Sequence, residues 1–113
     1  MSGYRVRRVE ALIKEALSPV LIKDFQDAAS GLLTVTRVEM TADLRTARVY
    51  VSVFGGADRE AAVARLAQGA GSLRRAVATR VKLKYNPQLI FVLDLGPDHE
   101  ALIDELLKRT KAT

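Results

Sequence analysis

The sequence predicts an α+β fold: a three-stranded sheet with helices on one face. Three observations predict it. Apolar residues near the N-terminus recur at helical spacing, and the middle of the chain alternates apolar and polar residues as strands do. Helical patterning then returns on both sides of a glycine pair, before one last apolar run. The 113 residues are 49% hydrophobic and 27% charged, which suits one domain, 1–113, with its own core.

Val6, Val9, Ile13, Ala16, Leu17, Val20 and Leu21 form one helical stripe. Arg5, Arg7 and Arg8 lead this helix, where its dipole does not favour cations. Pro19 is expected to loosen its last turns. "DAASGLL" reads as a break. In "LLTVTRVEMT", Leu32, Thr34, Thr36, Val38 and Met40 are expected on one face and Arg37, Glu39 and Thr41 on the other. "ADLR" is a tight connection. In "TARVYVSVF", Ala47, Val49, Val51 and Val53 point inward, and Arg48, Tyr50 and Ser52 outward. The two strands read as an antiparallel hairpin with one wet face.

Asp58 is the expected N-cap of the next helix, "REAAVARLAQ". Leu66, Ala70, Leu73, Val77 and Val81 carry one stripe across the glycines, with Arg75 and Lys82 opposite and Arg74 bordering it. Asn86-Pro87 is expected to stop this helix. "QLIFVLDL" is expected as a strand buried on both faces or central in the sheet. "GPDHEALIDELLKRT" reads as a terminal amphipathic helix with Leu102, Ile103, Leu106 and Leu107 on its apolar side.

The charge is polarised. The net charge is +5; residues 61–87 carry six Lys or Arg and no acid, and residues 88–107 carry five acids and no Lys or Arg. A basic face suggests a polyanionic partner, although solubility alone also accounts for one. There is no cysteine, which excludes disulfides, thiolate metal sites and a cysteine nucleophile. The N-terminus lacks a signal-peptide pattern and no apolar run spans a bilayer, so a cytoplasmic protein is expected.

"QGAGSLRR", residues 68–75, is neither a dinucleotide fingerprint nor a nucleotide-hydrolase phosphate loop. The third fingerprint position is Arg74, the preceding segment is helical, and no Gly-Lys-Ser/Thr follows. His99, the lone histidine, lies in an acidic stretch with no nucleophile paired to it, and reads as a helix-start residue. Asp27, Asp43 and Asp94 read as turn or cap residues rather than ligands, and no metal or cofactor is called for. The glycines either bend a helix so that both halves pack, or also bare the backbone to a phosphate. On the second reading Arg74 and Arg75, in the first turn of the following helix, supply charge-assisted hydrogen bonds.

Helix, strand, strand, helix, glycine bend, helix, strand, with a basic segment after the bend, resembles a type II KH domain. A KH domain clamps nucleic acid with a Gly-x-x-Gly loop; here the kink is Gly69-Ala70-Gly71, one residue short. The stretches "VTRVEMTADLRTARVYVSVFG", "GSLRRAVATRVKLKYNPQLIFVLD" and "HEALIDELL" resemble ribosome-binding factor A. Asp43-Leu44, Ala47, Val49-Tyr50-Val51-Ser52, Leu73-Arg74, Pro87-x-Leu89-x-Phe91 and Asp94 carry that resemblance. Two departures stand out: Gly69 replaces the family's usual alanine, and Asp27-Ala28-Ala29 replaces Asp-Pro-Arg.

The resemblance implies a KH-like assembly factor without enzymatic activity. It would bind the immature small (30S) ribosomal subunit and assist maturation of 16S rRNA, including its 5′ end and growth in the cold. It would act as a monomer and leave with the help of a ribosome-associated GTPase. Arg74, Arg75, Arg80, Lys82 and Lys84 would neutralise phosphates, with Arg5, Arg7 and Arg8 as a second cluster. Only 5% of residues are aromatic, so stacking is expected to carry little of the affinity. The alternative is a protein-interaction module whose basic face docks an acidic partner.

Overall fold

The computed structural model of the chain describes residues 2–26, 31–55, 58–94 and 96. Its elements are α1 (Ser2–Asp24), β1 (Leu32–Met40), β2 (Thr46–Phe54), α2 (Arg59–Gln68), α3 (Ala70–Arg80) and β3 (Gln88–Leu93). The expected terminal helix and His99 lie outside the described residues, as does the loop at Asp27.

The sheet order is β1-β2-β3, with β1 and β2 antiparallel and β2 and β3 parallel. The parallel pair requires a long crossover, and α2 and α3 supply it. Val9, Ile13, Ala16, Leu17 and Leu21 of α1 are buried with Ala62, Leu66, Leu73 and Val77 of the crossover helices. They join Ala47, Val49, Val51 and Val53, the inward side of β2 that alternation predicts. Val6 and Val20 lie at the margin of the α1 stripe, half-buried. α1 contains Pro19 and runs on past it to Asp24.

α1 also completes the free edge of β1. Glu10 Oε2 accepts the Met40 N–H at 2.8 Å, and Lys14 Nζ donates to the Thr36 carbonyl at 3.2 Å. Beyond the helix, Gln26 donates to the Leu33 carbonyl and accepts its N–H, at 2.8 and 2.9 Å. An edge strand left bare would offer those groups to another chain.

The face assignment of β1 needs correction. Leu33, Val35 and Val38 are buried, whereas Leu32 and Thr34 are exposed. The cause is a β-bulge: Val35 pairs with Val51 and Arg37 with Tyr50, so Thr36 is the extra residue. A bulge shifts the two-residue period by one, so a single alternation cannot describe both halves of the strand. The hydroxyl of Thr36 donates to Asp94 Oδ2 at 2.6 Å, anchoring the bulge to the end of β3.

The expectation for β3 is also corrected. It lies at the sheet edge, not the centre; Leu89 is buried but Ile90 is 43% exposed. Its apolar run resembles that of a central strand because parallel pairing to β2 places it beside the crossover helices.

Asp58 caps α2 as expected, its side chain accepting the Ala61 N–H at 3.0 Å. α3 ends at Arg80, six residues before the Asn86-Pro87 pair expected to stop it. Val81 is extended, with φ −120° and ψ 114°, and buried. From there Val81, Lys82, Leu83 and Lys84 alternate inward and outward, a strand-like period that the helical reading overlooked.

A candidate nucleic-acid interface at the hairpin tip and the end of the third helix

The break between α2 and α3 is Gly69 alone; Ala70 and Gly71 already belong to α3. Gly69 has φ −90° and ψ 12°, a conformation open to other residues, so backbone freedom is not what requires glycine here. Space is. A Cβ on Gly69 would lie 2.8 Å from Cζ of Phe25, whose ring occupies the place of a side chain. The bare backbone at Gly69 therefore receives a ring, not a phosphate. Around Gly71 a Cβ would meet nothing within 4 Å.

Arg74 and Arg75 stand in the second turn of α3, not the first, because the helix starts at Ala70. They have different surroundings. Arg74 Nε donates to the Pro87 carbonyl at 3.1 Å and Nη2 to the Asn86 carbonyl at 3.0 Å. Asn86 Nδ2 returns a bond to the Arg74 carbonyl at 3.2 Å. Arg74 thus brackets α3 to the turn that starts β3. Arg75, Arg80, Lys82 and Lys84 are exposed.

The extended segment after α3 leads to the tip of the β1–β2 hairpin. Thr41 organises that tip: its hydroxyl donates to Asp43 Oδ1 at 2.6 Å and accepts the Thr46 N–H at 3.1 Å. Asp43 Oδ1 also accepts the Arg45 N–H at 3.1 Å. The Thr41 hydroxyl bond, and secondarily the Arg45 N–H, hold the Asp43 carboxyl below the usual aspartate range. Leu44 next to it has φ 60°, a left-handed conformation that a leucine adopts at an energetic cost.

A cleft of about 220 Å³ lies between these parts, lined by Arg5, Ala42, Asp43, Leu44, Leu83, Lys84 and Tyr85. Two of the sequence-predicted cations, Arg5 and Lys84, therefore meet although 79 positions apart. Arg7 and Arg8 are exposed on α1 but do not line this cleft. Arg45 and Tyr85 did not stand out in the sequence. The Arg45 guanidinium lies 4.4 Å from the Tyr85 ring centroid and Lys84 Nζ 5.5 Å from it. No sequence period points to Tyr85: the alternation that turns Lys82 and Lys84 outward would turn Tyr85 inward, whereas it is exposed at the tip. Among the described residues no group of acids and histidines is placed to hold a metal, and no helix is long and apolar enough to cross a membrane.

These elements define a basic, KH-like α+β protein with exposed cations on α3, the segment after it and the start of α1. A sequence model of the family described as Ribosome-binding factor A matches residues 5–107. The chain is 37% identical over 112 residues to ribosome-binding factor A of Halothermothrix orenii, covering 98% of this chain and 92% of that one. To the Brevibacillus brevis protein it is 39% identical over 109 residues, 96% of this chain and 90% of the other. The crystal structure of ribosome-binding factor A from Thermus thermophilus superposes with a TM-score of 0.68 at 32% identity, over 78% of this chain and 94% of that one. A homology model of the Thermus thermophilus factor, fitted into a cryo-EM map of its 30S complex, matches with a TM-score of 0.68 at 31% identity, over 79% of this chain and 94% of that one. The chain belongs to the ribosome-binding factor A family.

Proposed function

We propose that this protein is a ribosome assembly factor that grips structured RNA of the immature small subunit. It would assist maturation of 16S rRNA, including its 5′ end and in the cold, and then leave with the help of a ribosome-associated GTPase. The role is binding, not catalysis, carried out by a monomer in the cytoplasm. The observation that carries this reading is the placing of Arg5 and Lys84 at one cleft, together with the exposed Arg75, Arg80 and Lys82 on α3 and the segment after it. Such a surface neutralises phosphates and positions RNA without reading its sequence. The fitted 30S complex of the Thermus thermophilus relative supports the choice of subunit.

Co-sedimentation with isolated small subunits tests the reading. The wild type is expected in the pellet, and a variant with Arg75→Glu, Lys82→Glu and Lys84→Glu in the supernatant. Capture of an acidic protein that survives complete ribonuclease digestion would favour a protein-docking module instead.

A further inference from the structure

The cleft at the hairpin tip holds more than charge. Tyr85 is 48% exposed, with a guanidinium against its ring, beside Leu44 and Leu83. At about 220 Å³ the cleft is smaller than the roughly 300–1,000 Å³ of pockets for drug-sized ligands or cofactors. One flat ring suits it better than a whole cofactor. Its lining divides by chemistry: an aromatic ring and two leucines on one hand, Arg5 and Lys84 on the other. Leu44 is left-handed because it closes the hairpin turn, its N–H donating to the Thr41 carbonyl at 2.9 Å, and this turn is what sets it at the cleft wall.

We propose that this cleft receives one unstacked nucleotide of the bound RNA, its base against Tyr85 and Leu44 and its phosphate on Arg5 and Lys84. This rests on the RNA-binding reading above and names the part of the RNA that is held. Single-stranded bases are recognised by laying their faces on aromatic side chains, whatever their sequence. Arg45 covers one face of the Tyr85 ring and is not part of the cleft lining, so the base takes the other face. Asp43 constrains the orientation: its carboxylate repels a phosphate but suits a ribose hydroxyl or a base N–H, so the phosphate goes to Arg5 and Lys84. Composition understates stacking here, because affinity depends on where a ring stands and not on how many rings there are.

The test measures affinity of the full chain for isolated small subunits across a salt series. Tyr85→Ala is expected to weaken binding by roughly 5- to 150-fold, as loss of a base–aromatic stack does, with the salt slope unchanged. Tyr85→Phe should bind as the wild type does. Lys84→Ala should instead flatten the log–log salt slope by about 0.7, the share of one single-strand phosphate. Wild-type affinity in Tyr85→Ala, alongside weakened Lys84→Ala, would overturn the nucleotide site and leave the RNA-binding reading standing. Binding that resists ribonuclease would overturn both. Should Tyr85→Ala melt early, Tyr85→Leu decides: it keeps apolar bulk without an aromatic face, so a loss like that expected for alanine supports the site and wild-type affinity refutes it.

Discussion

Arg74 binds the Pro87 carbonyl through Nε at 3.1 Å and the neighbouring Asn86 carbonyl through Nη2 at 3.0 Å. With the return bond from Asn86 Nδ2, one arginine fixes where α3 hands over to β3. This charge therefore belongs to the frame of the protein. Arg74→Ala should lower unfolding stability by about 2 kcal/mol, since a charged donor and two carbonyl partners lose their bonds together. Arg74→Lys should lose much of the same, because an ammonium lacks the planar fork that spans two carbonyls. Arg75→Ala, at an exposed position, should stay within about 0.5 kcal/mol of the wild type. Urea titration separates the two residues. A joint reversal of Arg74 and Arg75 would confound fold with binding, whereas Arg75→Glu alone reports on binding.

The two glycines of the kink should respond in opposite directions. Gly69→Ala puts a methyl 2.8 Å from the Phe25 ring and should destabilise by about 1–2 kcal/mol, within the range for overpacking. Gly71→Ala has open space inside a helix and should stabilise by roughly 0.5–1 kcal/mol. In a Phe25→Leu background the penalty at Gly69 should shrink. Denaturant midpoints of the double-mutant cycle check this; an unchanged penalty would mean that the ring is not its cause.

Asp43 ties stability to acid. Its carboxyl is held below the ordinary aspartate value when folded, so the folded state favours the ionised form. That contribution is fully present above the unfolded value of about 4 and is lost as pH falls through the lower folded value. Asp43→Asn cannot titrate, so the gap between wild type and variant in urea midpoint should narrow between pH 5 and about 2. A gap that stays constant over that window would show that the Thr41–Asp43 bond does not depend on charge.

The order of elements was legible because α1, β2 and α2 each carry one uninterrupted period. Where a period is broken, reading failed locally. The extra residue at Thr36 reverses which side of β1 faces inward, and the partner its hydroxyl finds, Asp94, lies 58 positions away. Helical spacing from Leu66 to Val77 hid the switch to strand-like alternation at Val81, which ends α3 before any proline. In the site, composition located the exposed cations but not their partners. Arg74 and Arg75 are equivalent as neighbours in sequence, and only the return of the chain at Asn86 and Pro87 distinguishes them. Arg45 and Tyr85 became visible only once the hairpin tip had been brought to the end of the segment after α3.

The salt dependence of binding to isolated small subunits tests the central claim most directly. If about five phosphates meet the surface formed by Arg75, Arg80, Lys82, Lys84 and Arg5, log affinity should fall with log salt at a slope on the order of −4. Arg75→Glu should weaken binding and flatten that slope while the urea midpoint stays unchanged. A slope near zero in the wild type, or full binding by a folded Arg75→Glu, Lys84→Glu variant, would contradict the assignment of this face to RNA.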